Sequence, residues 1–469
     1  MKLRSCALVF AMVSFNAAAA DFKPCDDAAT HPALAGSLCA IEQAPADPSA
    51  AGTGAQVALF VRQFPATGTP AGRVWLVAGG PGESGAAFYG LLPRLRAAFP
   101  GFDLMVPDHR GTGFSTRLCA QEEAPASPGG TALEGAEWAS CFAYLNAHPV
   151  HARRFSQTNA AYDLQRLLAR TPRAGKTYVY GVSYGTQLLL RTLALGAPGI
   201  DGVILDSLVP LQDDAQADLS RRSLVTDAVG RQVLADCDAS PACSSALGEP
   251  AEQLYSRFLA RADKDPQLLA TIPGQDARRF FGSLIDMPGA AGQIPALVKE
   301  ADAGRAVHLQ AVTASVAKDM AALGVFPQSP ASMPLVIMIS GSEHNLQPGR
   351  SAQSVRDEEA ALLFASPLPG YLVDAPLPLY PHDALFARLP ASLPPTLVLQ
   401  GDRDAKTPYD AALRHIAALR EVGPVQLYTA ARVGHFVLWG DQGCALAAVR
   451  AFVLGAAPGG RCVSVRSGD

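Results

Sequence analysis

The segment Gly181-Val182-Ser183-Tyr184-Gly185 follows a short β-branched and aromatic run at residues 177–180 and precedes a stretch with helical spacing. It fits G-x-S-x-G, in which a serine projects from the tip of a tight strand-to-helix turn and glycines at minus two and plus two relieve the crowding. The helix that follows aims its free N–H groups and positive dipole end at the same point, where an oxyanion can be held. Alone the pattern is weak, because a serine between glycines is also an ordinary turn. Its place between strand and helix makes Ser183 a candidate nucleophile. Such a serine needs a base within hydrogen-bond reach and a carboxylate to orient that base. Of nine histidines, only His435 follows the last strand-like run, in Val433-Gly434-His435-Phe436. The acid is expected after the run 396–399, where Asp402 and Asp404 stand, with Asp410 beyond. Asp404, further into the loop, is favoured over Asp402, which is nearer the strand. Asp206, after an earlier strand, reads as a buried structural aspartate capping the next turn. The order Ser, acid, His is one of the known triad orders, and its chemistry is acyl transfer through a covalent serine intermediate.

Elements must bring these residues together. Residues 73–77, 102–106, 202–205, 395–400 and 425–428 are largely apolar runs of the kind that buried parallel strands show. Residues 160–169, 411–420 and 444–454 have helical spacing, and this alternation implies a parallel sheet with right-handed crossovers. Residues 38–43 and 57–63 read as an edge hairpin. The first apolar run ends in Ala78-Gly79-Gly80-Pro81-Gly82-Glu83-Ser84-Gly85, where backbone can approach a ligand closely; the plainer reading is a flexible turn. After the second comes Asp108-His109-Arg110-Gly111-Thr112-Gly113-Phe114-Ser115. It reads as a structured loop in which Asp108 and Arg110 brace the site, with a metal or catalytic role for Asp108 and His109 as the alternative. From residue 213 to about 375 the pattern changes to amphipathic helices, interrupted by one continuous apolar run at 334–339, a strand or a buried helical turn. This is a helical insertion over the site.

The chain has 469 residues, 49% of them hydrophobic and 17% charged, enough for a sizeable core. A formal net charge of −4 provides no footprint for nucleic acid or an anionic membrane. Met1-Lys2-Leu3-Arg4, the apolar run from Cys6 to Phe15 and small residues from Ala17 to Ala20 read as a secretory signal peptide. No later window holds about 18 uninterrupted apolar residues, so no membrane anchor is expected after cleavage. Nine cysteines are present, and Cys6 leaves with the leader. An even remainder in an exported chain suggests disulfides, whose connectivity the sequence leaves open. Sequential pairing is expected because each bond then closes a short local loop: Cys25/Cys39, Cys119/Cys141, Cys237/Cys243 and Cys444/Cys462. None of these pairs has the spacing of a metal site.

Taken jointly, these motifs resemble the α/β-hydrolase serine peptidases of the prolyl aminopeptidase and tripeptidyl aminopeptidase group. The resemblance rests on Gly79-Gly80-Pro81-Gly82 with Ser84-Gly85, on residues 108–115, on 181–186, on Gly401-x-x-Asp404-x-x-Thr407-Pro408 and on Gly434-His435. Cys444 with Phe452-Val453-Leu454-Gly455 and Cys462 is similar to the tripeptidyl branch. Ala78 stands where prolyl aminopeptidases usually have histidine, which argues against strict proline specificity. The resemblance implies an α/β-hydrolase fold, a mostly parallel sheet with a helical lid inserted after the sixth strand. Its parts would be a signal peptide at 1–20, a core at 21–212, the lid at 213–380 and the rest of the core at 381–469. It implies Asp404 as triad acid, oxyanion donors at Gly80 and Tyr184, and Glu343, at the end of an apolar run similar to one in the tripeptidyl branch, as anchor for a substrate's free amine. The expected protein is an exported serine aminopeptidase acting on peptides and requiring no cofactor. The alternatives are a carboxylesterase or other small-molecule acyl hydrolase on the same triad, and a catalytically inactive binding protein on the same fold.

Overall fold

The structure is a computed structural model; it describes residues 21–49, 54–130, 132–172, 175–196, 199–323, 326–441 and 443–456. The expected signal peptide and Cys462 lie outside these residues. Among them, nine strands form one sheet: β1 (Lys23–Pro24), β2 (Leu38–Pro45), β3 (Gln56–Phe64), β4 (Gly72–Val77), β5 (Phe102–Pro107), β6 (Lys176–Val182), β7 (Gly202–Asp206), β8 (Thr396–Gly401) and β9 (Val425–Ala430). Their order is β1-β2-β3-β5-β4-β6-β7-β8-β9. The β1–β2, β2–β3 and β3–β5 pairings are antiparallel, and every pairing from β5 to β9 is parallel. The helical insertion therefore follows β7, not a sixth strand, because β1 precedes the hairpin. Two residues carry no periodicity, so β1 left no signal to read.

The apolar runs arise because both faces of the central parallel strands are covered. Trp75 and Val77 pack on one face, with the helices Gln157–Arg170 and Tyr184–Ala194; Val74 and Leu76 pack on the other, with Leu92–Ala98 and Cys444–Val453. Between β7 and β8 the chain runs through helices that include Arg222–Asp238, Ala251–Ala262, Ala277–Leu284 and Val307–Leu323. They have their own core around Tyr255, Phe258, Phe281 and Phe364. The apolar run 334–339 belongs to a helix, Met333–Glu343, that carries Pro334 in its first turn and is buried along almost its whole length.

The insertion is fastened to the loop after β4. Ser332 N donates to Gly82 O at 3.0 Å and Ser84 Oγ to Gln328 O at 2.6 Å. A Cβ on Gly82 would stand 2.4 Å from Ser332 O, so only glycine lets the two backbones meet there. Disulfides join Cys25 to Cys39, Cys119 to Cys141 and Cys237 to Cys243. No helix among the described residues is long and apolar enough to cross a membrane.

Candidate active site

Ser183 is the single residue between β6 and the helix Tyr184–Ala194. Its φ of 55° and ψ of −126° lie in a region that costs a non-glycine residue about 1–3 kcal/mol, and the surrounding bonds hold it there. Ser183 N donates to Asp206 O at 2.9 Å, while Thr186 N and Oγ1 donate to Ser183 O at 2.8 and 2.7 Å. A Cβ on Gly181 would lie 2.5 Å from Gly185 O, and one on Gly185 would lie 2.3 Å from Val77 O. The turn is therefore open only to glycine at both flanks.

His435 Nδ1 is 2.9 Å from Asp404 Oδ2 and 3.1 Å from Oδ1. With Nδ1–H donating to the carboxylate, Nε2 is left as the basic nitrogen. The loop carrying it is clamped through four consecutive N–H groups. His435 donates to Asp286 Oδ1 at 3.3 Å, Phe436 to Ser207 Oγ at 2.8 Å, Val437 to Asp206 Oδ1 at 2.8 Å and Leu438 to Asp206 Oδ2 at 2.9 Å. Asp206 also accepts from Tyr180 Oη at 2.7 Å. The expectation that it caps the turn after its own strand is thus corrected: it caps the short helix Val437–Gly440.

Asp404 is fully buried. Its carboxylate accepts from Lys406 N at 2.8 Å, Thr407 N at 2.7 Å and Thr407 Oγ1 at 2.6 Å. Burial alone pushes its carboxyl up, but His435 and these donors outweigh burial and hold it below the ordinary aspartate value. Asp402 instead accepts from Arg432 N at 2.6 Å, and Asp410 is exposed in the first turn of Tyr409–Arg420.

Ser183 and His435 share the wall of a cavity of about 620 Å³ with Gly80 and Tyr184. The N–H groups of Gly80 and Tyr184 donate to no other group among the described residues. The lid adds Met333, Val336 and Ile339, and the segment after His435 adds Trp439. Asp108 is not on this wall; it accepts from Gly85 N, Phe114 N and Gln328 Nε2 at 2.8, 2.8 and 2.9 Å, tying two loops and the insertion together. Arg110 grips Asp163 at 2.6 and 2.7 Å, so it braces the helix Gln157–Arg170, not the cavity. His109 is buried against Tyr184, its rings 5.6 Å apart, and burial pulls its imidazole down to about 4.

Glu343 departs from expectation. Its carboxylate lies off the cavity wall, buried and paired with Arg191 at 3.1 and 3.0 Å, and it accepts from Gln212 Nε2 at 2.7 Å and Tyr380 Oη at 2.9 Å. A guanidinium buried in the helix Tyr184–Ala194 requires a counter-charge, and Glu343 supplies it. The adjacent His344 lines the cavity instead, bonded to Gln187 Oε1 at 2.5 Å; burial, with Arg191 and Arg222 nearby, pulls its imidazole down to about 3, so it is neutral.

Asp286 and Arg222, both from the insertion, also line the cavity. Burial, reinforced by Asp404, raises the Asp286 carboxyl above its ordinary value. Neither residue stood in any motif, so nothing in the sequence marked them. Gln187 did carry a signal: four residues after Ser183 in a helix, it falls on the same face as Ser183.

Two family models match the chain: one described as alpha/beta hydrolase fold over residues 72–246, and one described as TAP-like protein over residues 375–460. Comparison with curated proteins found no match. Similar solved structures include epoxide hydrolase A from Mycobacterium thermoresistibile, 17% identical, covering 90% of this chain and 100% of that one, with a TM-score of 0.37. A thermophilic esterase from Thermogutta terrifontis is 16% identical, covering 88% of this chain and 98% of that one, with a TM-score of 0.35.

Proposed function

Since the chain has the α/β-hydrolase fold, we propose that it is a serine hydrolase of the aminopeptidase type, cleaving peptide bonds near free N-termini. The observation that carries the triad is His435 Nδ1 at 2.9 Å from the buried Asp404 carboxylate, on a loop that shares its cavity with the strained Ser183. In this reading His435 Nε2 takes the Ser183 proton as Oγ attacks the carbonyl carbon. The N–H groups of Gly80 and Tyr184 receive the tetrahedral oxygen, and His435 returns the proton to the leaving amine. Water then attacks the acyl-enzyme with His435 again as base. The peptidase choice draws support from the TAP-like match at residues 375–460. Export draws support from the disulfides and from the sequence of residues 1–20.

A second reading, an esterase or other acyl hydrolase, is favoured by one observation: Glu343, the expected amine anchor, is paired with Arg191 away from the cavity. The carboxylates left on the cavity wall for an ammonium are Glu83 and Asp286. A panel of chromogenic amides with free and blocked N-termini, beside simple esters, separates the two. The aminopeptidase reading expects hydrolysis of free-amine substrates with blocked ones rejected, and preference for blocked amides or esters overturns it. Ser183→Ala should abolish all turnover while leaving the thermal unfolding midpoint within a few degrees; retained turnover removes the nucleophile assignment.

A further inference from the structure

Arg222 opens the helix Arg222–Asp238 and contributes to the wall of the cavity that holds Ser183 and His435. Its guanidinium makes no ion pair and no hydrogen bond among the described residues, whereas most arginines of the insertion are paired. Arg221 meets Glu358 at 2.9 Å, Arg231 meets Asp227 at 2.7 Å, Arg278 meets Asp263 at 2.9 Å and Arg279 meets Glu359 at 2.8 Å. Its nearest acids are committed elsewhere. Asp404 is filled by His435, Thr407 and Lys406 N, and Asp286 accepts from Ala405 N at 3.1 Å and His435 N at 3.3 Å. The side chain is half-buried, and partial burial draws its guanidinium below the ordinary value against the opposing charges of Asp286 and Asp404. A half-buried guanidinium that faces the cavity without a protein partner presents a planar fork matched to carboxylate. The other cation on the wall, Lys406, is exposed and so more fully solvated than Arg222.

We infer that Arg222 is a specificity residue of this cavity, receiving a carboxylate of the substrate as a two-pronged ion pair. The inference rests on the hydrolase reading above and narrows it to acidic substrates. The carboxylate has two sources, an acidic side chain or the free C-terminus of a short peptide.

Matched pairs distinguish the sources: anilides of tripeptides ending in Glu or in Gln, and tripeptides with a free or an amidated C-terminus. On the wild-type protein the charged member of one pair should be preferred by about tenfold or more in kcat/KM, the value of one charge-assisted bond pair. The pair that shows the preference identifies the source. In Arg222→Gln that preference should fall to about one while the neutral member is hydrolysed at a rate within about threefold of wild type, with Arg222→Lys in between. A wild-type protein indifferent to charge in both pairs, or a variant that loses both members equally, overturns the inference and leaves the hydrolase reading standing. If no amide or ester is turned over at all, the hydrolase reading fails. Thermal-shift titration with the same free acids and amides then still tests Arg222: stabilisation by the acids alone, lost in Arg222→Gln, supports it, and equal shifts refute it.

Discussion

A carboxylate as deeply buried as Asp404 would be driven toward its neutral acid by desolvation alone. It is kept ionised by donors on both oxygens, Lys406 N and Thr407 N on Oδ1 and Thr407 Oγ1 on Oδ2, together with the imidazole of His435. That set fixes the Nδ1–H tautomer, and an amide at the same position could offer its NH₂ to His435 and select the wrong one. Asp404→Asn should therefore lower kcat by about 10³–10⁴-fold with little change in KM, measured on whichever chromogenic substrate proves best. Because the folded-state carboxyl sits below its ordinary value, the stability it contributes is present above the ordinary aspartate range. It is lost as pH falls through that range and then through the lower folded value. The wild-type protein should accordingly lose its margin over Asp404→Asn in acid denaturation curves, and a margin that grew on acidification would contradict the shift. That Asp404, of the two loop aspartates, is the one that meets His435 was legible from its distance past the strand. The role of Asp206 was only half so: burial follows from the strand, but that its oxygens reach Val437 and Leu438 depends on a contact between distant segments.

At the scale of elements, the elbow works because β4, β6 and the helix Tyr184–Ala194 are closer than side chains normally permit. Gly185 sits under the carbonyls of Val77, the last residue of β4, and of Ala78 just after it, and a methyl there would stand 2.3 and 2.8 Å from them. Gly185→Ala must push the helix away from the sheet, and the N–H of Tyr184 and the Ser183 oxygen move with it. The expected cost is about 2–4 kcal/mol of stability, by overpacking against backbone that cannot rotate aside. With Ser183 as the proposed nucleophile, residual folded protein should show a depressed kcat, since a displacement near 1 Å there costs about 10²-fold. Denaturant titration with parallel kinetics checks both, and a variant with wild-type stability would mean the helix is less constrained than its contacts require. This element was readable in the sequence because close approach leaves a residue-type signature, glycine at fixed offsets. The central parallel strands were readable because burial on both faces leaves largely apolar runs, whereas the edge strand β9 is mostly half-buried or exposed.

For the whole molecule, the question is what holds the inserted helices over the sheet. Amphipathic spacing says which side of a helix is apolar, and it is silent on which distant helix that side meets, so Arg222, Asp286 and the partner of Glu343 could not be assigned in advance. The structure answers with a buried junction. Glu343 from the insertion meets Arg191 from the elbow helix, Gln212 from the segment after β7 and Tyr380 from the return to β8, both charges being about 3% exposed. Removing one member leaves a buried charge unmatched, so Glu343→Ala should cost about 3–5 kcal/mol, whereas replacing the pair with Met at both positions should recover much of that loss. An amine anchor behaves differently: its loss raises KM for free-amine substrates and scarcely moves the unfolding midpoint. Denaturation midpoints and KM values for Glu343→Ala and for the double replacement therefore discriminate the two roles. A large KM change at unaltered stability would return Glu343 to the substrate. A stability loss rescued by the double replacement would make the junction the hinge point on which the lid is seated, leaving recognition to residues that face the cavity.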